Sequence, residues 1–109
     1  MCSDPAVVEA YRRDPLVFDG VTSRWVTEML RATRRVQRHA ARYQVPLAVH
    51  YGEADRIVSI AAIQRFCARY GGPIDCKAWP GLYHEILNEP CRERVLRELV
   101  DRVSAFRGP

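Results

Sequence analysis

No apolar run in this chain approaches the roughly 20 residues that a membrane-spanning helix needs. The opening stretch, MCSDPAVVEAYRRD, lacks the basic-then-apolar pattern of a secretory leader. Cytoplasmic residence is therefore expected. Paired cysteine motifs are lacking: Cys2, Cys67, Cys76 and Cys91 form no CxxC pair, and without a secretion signal they are predicted to be free thiols. His39, His50 and His84 do not stand at metal-ligand spacing with them, so neither a zinc site nor another cofactor is expected. Lysine is nearly missing. Lys77 is the single lysine among 17 basic residues, and the others are arginine. Arg31, Arg34, Arg35, Arg38 and Arg42 form a stripe at helical spacing, which reads as a solvated outer face. A net charge of +4 without a recognised motif or interleaved aromatics makes no case for a nucleic-acid partner. Repeats and low-complexity segments are also missing.

What remains is an ordinary globular composition, 48% hydrophobic and 28% charged, and 109 residues allow one domain at most. The stretch from Val45 to Asn88 organises it. Pro46 can stand at a strand's first position, and Leu47, Ala48 and Val49 form the short apolar run of a strand covered on both faces. Gly52 ends it in a sharp turn. Ile60, Ile63, Phe66, Cys67 and Tyr70 have helical spacing, and Gly71-Gly72-Pro73 stops that helix. Cys76 to Trp79 reads as a second short strand, closed by Pro80-Gly81. A strand, a crossover helix and a second strand make a βαβ unit with parallel strands. The loops after parallel strands leave the same sheet edge. Asp55 and His84, one in each loop, can therefore meet, in the arrangement by which a carboxylate orients a catalytic imidazole.

The flanks read as helices. Asp4 can cap a first short one, with Pro5 at its start and Val7, Val8 and Tyr11 inward. Leu16, Val17 and Phe18 form an apolar loop cluster before Asp19-Gly20, either anchoring a core or lining a pocket. Thr22 or Ser23 caps a helix running to about Ala41, with Trp25 near its start. Its stripe of Val26, Met29, Leu30, Thr33, Val36 and Ala40 is predicted to be core. Asn88 or Glu89 is predicted to cap the last helix, with Pro90 at its start. Its wide apolar face includes Val95, Leu96, Leu99, Val100, Val103 and Phe106.

GEADRIV followed by PGLYHEILNEP resembles the C-terminal part of α/β-hydrolases of the monoacylglycerol lipase and lysophospholipase group, which is serine aminopeptidase-like. The upstream stretch SDPAVVEAYRRDPLVFDGVTSRWVTEMLRA is similar to the same group's passage out of its cap into the following helix. The resemblance implies an α/β fold in one C-terminal portion: a cap-exit segment over 1–21, then helix-strand-helix-strand-helix over 22–109. It implies that Asp55 is the acid and His84 the base of a catalytic triad. It places Ile57 close to substrate, and puts Leu16, Val17, Trp25 and Met29 on the cap-side wall of an acyl channel. The implied substrate is a carboxylic ester of a lipid.

The group's nucleophile sits in a GxSxG elbow, and this chain has none. Ser3, Ser23, Ser59 and Ser104 all lack that context. Two parallel strands also leave an unpaired inner edge and apolar helix faces without cover. The chain therefore reads as the C-terminal portion of a serine hydrolase with an incomplete sheet, from a truncated gene, an internal start, a frameshift or a split gene. On that reading the portion is inactive by itself and needs an N-terminal half that carries the nucleophile. The alternative is a non-catalytic interaction module that self-associates through exposed sheet edges.

Overall fold

A computed structural model describes residues 1–18 and 20–106 of the protein. Asp19 and Gly108-Pro109, named above as a break and an end, lie outside the described residues, as does the Phe106 side chain. The elements in chain order are α1 (Pro5–Arg13), α2 (Ser23–His39), a 3-10 turn (Ala40–Arg42), β1 (Leu47–Gly52), α3 (Ile60–Arg69), β2 (Ile74–Trp79), a second 3-10 turn (Ile86–Asn88) and α4 (Arg92–Phe106).

The helix starts follow from their caps. Asp4 accepts from the Ala6 amide at 2.9 Å, with Pro5 beginning α1. Thr22 accepts from the Trp25 amide at 3.2 Å and opens α2, and Ser59 accepts from the Ala62 amide at 3.3 Å and opens α3. The last helix differs from expectation. It begins at Arg92 rather than at Pro90, and Glu89 turns its side chain elsewhere.

Strands β1 and β2 pair in parallel over their whole length, from Leu47 opposite Ile74 to Gly52 opposite Trp79. They are the only strands among the described residues, so each keeps one edge unpaired. Alternation sends neighbouring side chains to opposite faces. On one face Cys76 bonds to Cys67 of α3. On the other, Lys77 pairs with Glu98 of α4, and Asp75 lies 2.9 Å from the Arg102 guanidinium. Each face thus carries a helix, and α2 lies beside α3 on the first.

The Cys67–Cys76 disulfide corrects the expectation of four free thiols. Local spacing could not reveal it, because α3 folds back over β2 and brings the two Cα atoms to 6.4 Å, within bridging range. Cys2 and Cys91 are free. In denaturant without reductant, a thiol reagent is expected to find two thiols, rising to four after reduction. Closing a loop of nine residues stabilises by about 2.5 kcal/mol in the chain-entropy account, so reduction should lower the melting temperature. Four thiols before reduction would contradict the bridge.

The core is small. Cys2, Ala40, Tyr51, Trp79 and Val95 are its buried apolar residues. Helix α2 buries none, and the stripe expected to be core leaves Met29, Leu30 and Val36 more than 40% exposed. Within the described chain only Ala40 of that stripe is buried, and the rest is covered in part at most. The accessible surface is 8316 Å², against about 6,200 Å² for a compact monomer of this mass. The radius of gyration is 16.0 Å, against about 13 Å expected. Both values exceed what a compact chain of this length shows.

Candidate active site

The turn after β1 is built around one carboxylate. Asp55 Oδ1 accepts from the amides of Ile57 at 2.7 Å and Val58 at 3.2 Å. This leaves Oδ2 for a partner from elsewhere, and that partner is His84, whose Nδ1 lies 2.8 Å away. The Asp55 side chain is only 2% exposed, while the His84 ring is 39% exposed.

Backbone bonds hold the two loops together. The Glu53 amide donates to the Trp79 carbonyl at 3.0 Å, and the Ala54 amide to the Leu82 carbonyl at 2.9 Å. Gly81 makes the turn with φ of 75°, in the left-handed region that suits glycine. Gly52 permits the close approach: a Cβ there would sit 2.2 Å from the carbonyl oxygens of both Leu82 and Tyr83. Arg56, next to Asp55, lies 5.8 Å from the ring centroid of Tyr83, next to His84.

Burial opposes ionisation of Asp55, but the His84 hydrogen bond and the Ile57 and Val58 amides outweigh it. The carboxyl is held below its ordinary value. An ionised carboxylate only accepts, so the proton of a neutral His84 ring sits on Nδ1 and its Nε2 carries a lone pair. Among the described residues nothing hydrogen-bonds that Nε2. The arrangement leaves the ring's accepting nitrogen turned away from the carboxylate.

The depressed Asp55 value sets a sign. Stability gained from the ionised carboxylate is present above the ordinary carboxylate range and is lost as pH falls through the lower folded value. Urea midpoints should therefore fall as pH drops below about 4. Asp55→Asn should flatten that acid limb; an unchanged limb would contradict the pairing.

The other expected site residues scatter. Met29 lines an apolar groove of about 440 Å³ with Leu30, Val49, Val58, Ile63 and Phe66, between α2, β1 and α3. Trp25, at the start of α2, is 53% exposed. Ile57 is 60% exposed and contributes its backbone to Asp55. Leu16 is 91% exposed and Val17 half-buried, in the loop after α1. Phe18 is exposed as well, so the cluster does not anchor a core within this chain.

None of the serine hydroxyls bonds His84 among the described residues. Ser59 caps α3 and Ser3 donates to Glu89. Those residues hold no cluster of three or more His, Cys, Asp or Glu that could bind a metal, and no helix long and apolar enough to cross a membrane.

Two side chains escaped sequence reasoning. His50 is buried on β1, where Trp79 Nε1 lies 3.3 Å from its Nδ1. Burial lowers its pKa, against the raising effect of Glu98 and Asp75. Glu89 is fully buried, with no exposed surface. No spacing signal marks either.

Parallel strands with a helix on each face, and an acid and an imidazole meeting beyond their C-terminal ends, define part of an α/β-hydrolase. The family described as serine aminopeptidase, S33, matches residues 1–91, and the chain belongs to it. A monoacylglycerol lipase of Mycolicibacterium smegmatis is 34% identical over 98 residues, which make up 88% of this chain and 35% of that protein. Phospholipase YtpA of Bacillus subtilis is 33% identical over 93 residues, 84% of this chain and 36% of that protein. The crystal structure of a monoacylglycerol lipase from Paleococcus ferrophilus superposes with a TM-score of 0.91 at 24% identity. It covers 96% of this chain and 42% of that one, a likeness of fold. The chain spans about a third of the length of these curated relatives, and it corresponds to the C-terminal part of the fold.

Proposed function

We propose that this chain supplies the acid and the base of a serine ester hydrolase whose nucleophile lies on an N-terminal portion outside this sequence. The observation that carries the reading is the Asp55–His84 pair, with the acid fixed by two amides and the base open at Nε2. The lipase and phospholipase relatives favour a carboxylic ester of a lipid, a monoacylglycerol or lysophospholipid, as substrate.

In this mechanism His84 Nε2 takes the proton of a serine hydroxyl as its oxygen attacks the ester carbonyl. The imidazolium then gives that proton to the departing alcohol. A water attacks the acyl-enzyme by the same route, and the fatty acid leaves. Asp55 keeps the ring in the Nδ1–H tautomer and stabilises the imidazolium. Residues 1–21 serve as the passage out of the cap, and 22–109 as the acid–base portion. Leu16, Val17, Trp25, Met29 and Ile57 are assigned to the acyl side once the N-terminal portion is in place.

The test joins this chain to a known N-terminal portion. The chain replaces the matching segment of the Mycolicibacterium smegmatis lipase, and hydrolysis of a p-nitrophenyl ester and a monoacylglycerol is followed. The hybrid is expected to turn over and the chain alone is not. Turnover by the chain alone that vanishes with His84→Ala would overturn the placing of the nucleophile.

A second reading, self-association without catalysis, draws on the unpaired edges of the sheet. It predicts a discrete oligomer by light scattering that is indifferent to Asp55→Asn.

A further inference from the structure

A carboxylate with no exposed surface needs hydrogen bonds to stay charged, and Glu89 has them on both oxygens. Its Oε1 accepts from the Tyr83 amide at 2.9 Å and the Ser3 amide at 3.2 Å. Its Oε2 accepts from the Ser3 amide at 3.2 Å and from the Ser3 hydroxyl. Burial works against the charge, but the Ser3 hydroxyl and the Tyr83 and Ser3 amides hold the carboxyl below its ordinary value. Glu89 therefore joins segments 86 residues apart in sequence.

What it joins is telling. Tyr83 precedes His84, and its amide ends on Glu89. Glu85 follows His84, and its amide donates to the Met1 carbonyl at 3.1 Å. The residues on both sides of His84 are thus held by their amides, Tyr83 by Glu89 directly and Glu85 by the segment that Glu89 holds through Ser3. The ring itself makes only the Asp55 bond among the described residues. Its position is set by the backbone that carries it.

We propose that Glu89 is a positioning residue for His84, its buried carboxylate clamping the Met1–Ser3 segment and the Tyr83 amide so that the imidazole meets Asp55. The proposal rests on the reading of His84 as the base, but its test does not need turnover. The clamp works by accepting hydrogen bonds. Glutamine can replace it, because its oxygen accepts from Tyr83 and Ser3 while its amide donates to the Ser3 hydroxyl. Alanine cannot, and it leaves the Tyr83 and Ser3 amides and the Ser3 hydroxyl buried without partners.

The experiment is nitrogen-15 NMR of the His84 ring in the full chain, read as the tautomer ratio at a pH where the ring is neutral. The unsubstituted chain should favour Nδ1–H by roughly tenfold or more, as a hydrogen bond to a charged acceptor requires. Glu89→Ala should move the ratio towards parity, and Glu89→Gln should restore it. A merely structural role would lower the melting temperature and leave the ratio alone. A folded Glu89→Ala chain with an unchanged ratio would therefore overturn the proposal. Should that variant fail to fold, Ser3→Ala decides. It keeps the Ser3 amide and removes the hydroxyl, and it should shift the ratio part of the way, whereas no shift would overturn the proposal. Loss of the nucleophile reading would leave these ratios untouched, and unchanged ratios would leave that reading standing.

Discussion

In the hybrid with the N-terminal portion of the lipase, His84→Ala should lower kcat on the order of a millionfold, the scale for losing a triad base. Asp55→Asn should cost less, about ten-thousandfold, because the amide favours the wrong ring tautomer while leaving a base in place. KM should stay nearly constant in both, since neither side chain holds substrate before the chemical step. The ordering follows from the site. Asp55 Oδ1 is tied by the Ile57 and Val58 amides, so a carboxamide in its place can keep its oxygen there only by turning its NH2 toward His84 Nδ1. That forces the ring proton onto Nε2, where it blocks proton abstraction. Asp55→Asn hydrolysing as fast as the parent would remove Asp55 from the mechanism. A His84→Ala hybrid with full turnover would remove the mechanism.

The second large effect comes from a residue with no side chain. Gly52→Ala puts a Cβ 2.2 Å from two backbone carbonyl oxygens, those of Leu82 and Tyr83. Backbone cannot swing aside as a flexible side-chain end can. The two loops must part by about an ångström, a displacement that costs about a hundredfold in rate when it separates catalytic groups. Overpacking of this kind also destabilises by roughly 1–3 kcal/mol or more. The variant should lose about a hundredfold in kcat in the hybrid, with a lowered melting temperature. Gly81→Ala is the control. It has φ of 75° but nothing within 4 Å of a Cβ, so it should cost about 1–2 kcal/mol of backbone strain and leave the loops together. Equal rate losses from both substitutions would show that loop spacing is not what matters.

Much of the layout was legible because local chemistry carries it. Pro46, the run Leu47 to Val49 and the helical spacing from Ile60 to Tyr70 mark a strand and a crossover helix without tertiary help. Parallel pairing then brings Asp55 and His84 to one edge, where they lie 2.8 Å apart. The strand limits were less legible. β1 takes in Gly52, expected to end it, and β2 starts at Ile74 rather than Cys76. Asp75 looks like a loop residue until α4 faces it. The disulfide was hidden because it depends on how α3 lies over β2. Glu89 was hidden for a deeper reason. In sequence it stands where a helix cap would, yet its partner Ser3 is 86 positions away. The stripe of α2 misled in the opposite direction: its spacing truthfully marks an apolar face, but periodicity does not say which polypeptide covers it.

The bare edge of β1 also makes the fate of this polypeptide a question of stoichiometry. Its six residues offer one row of amides and carbonyls, and an N-terminal portion and a sister copy would contend for that same row. If that complement exists as proposed, chain kept in excess of it would pair with itself along that row. With a matching amount of that complement present, the row would instead be occupied by the proposed N-terminal portion.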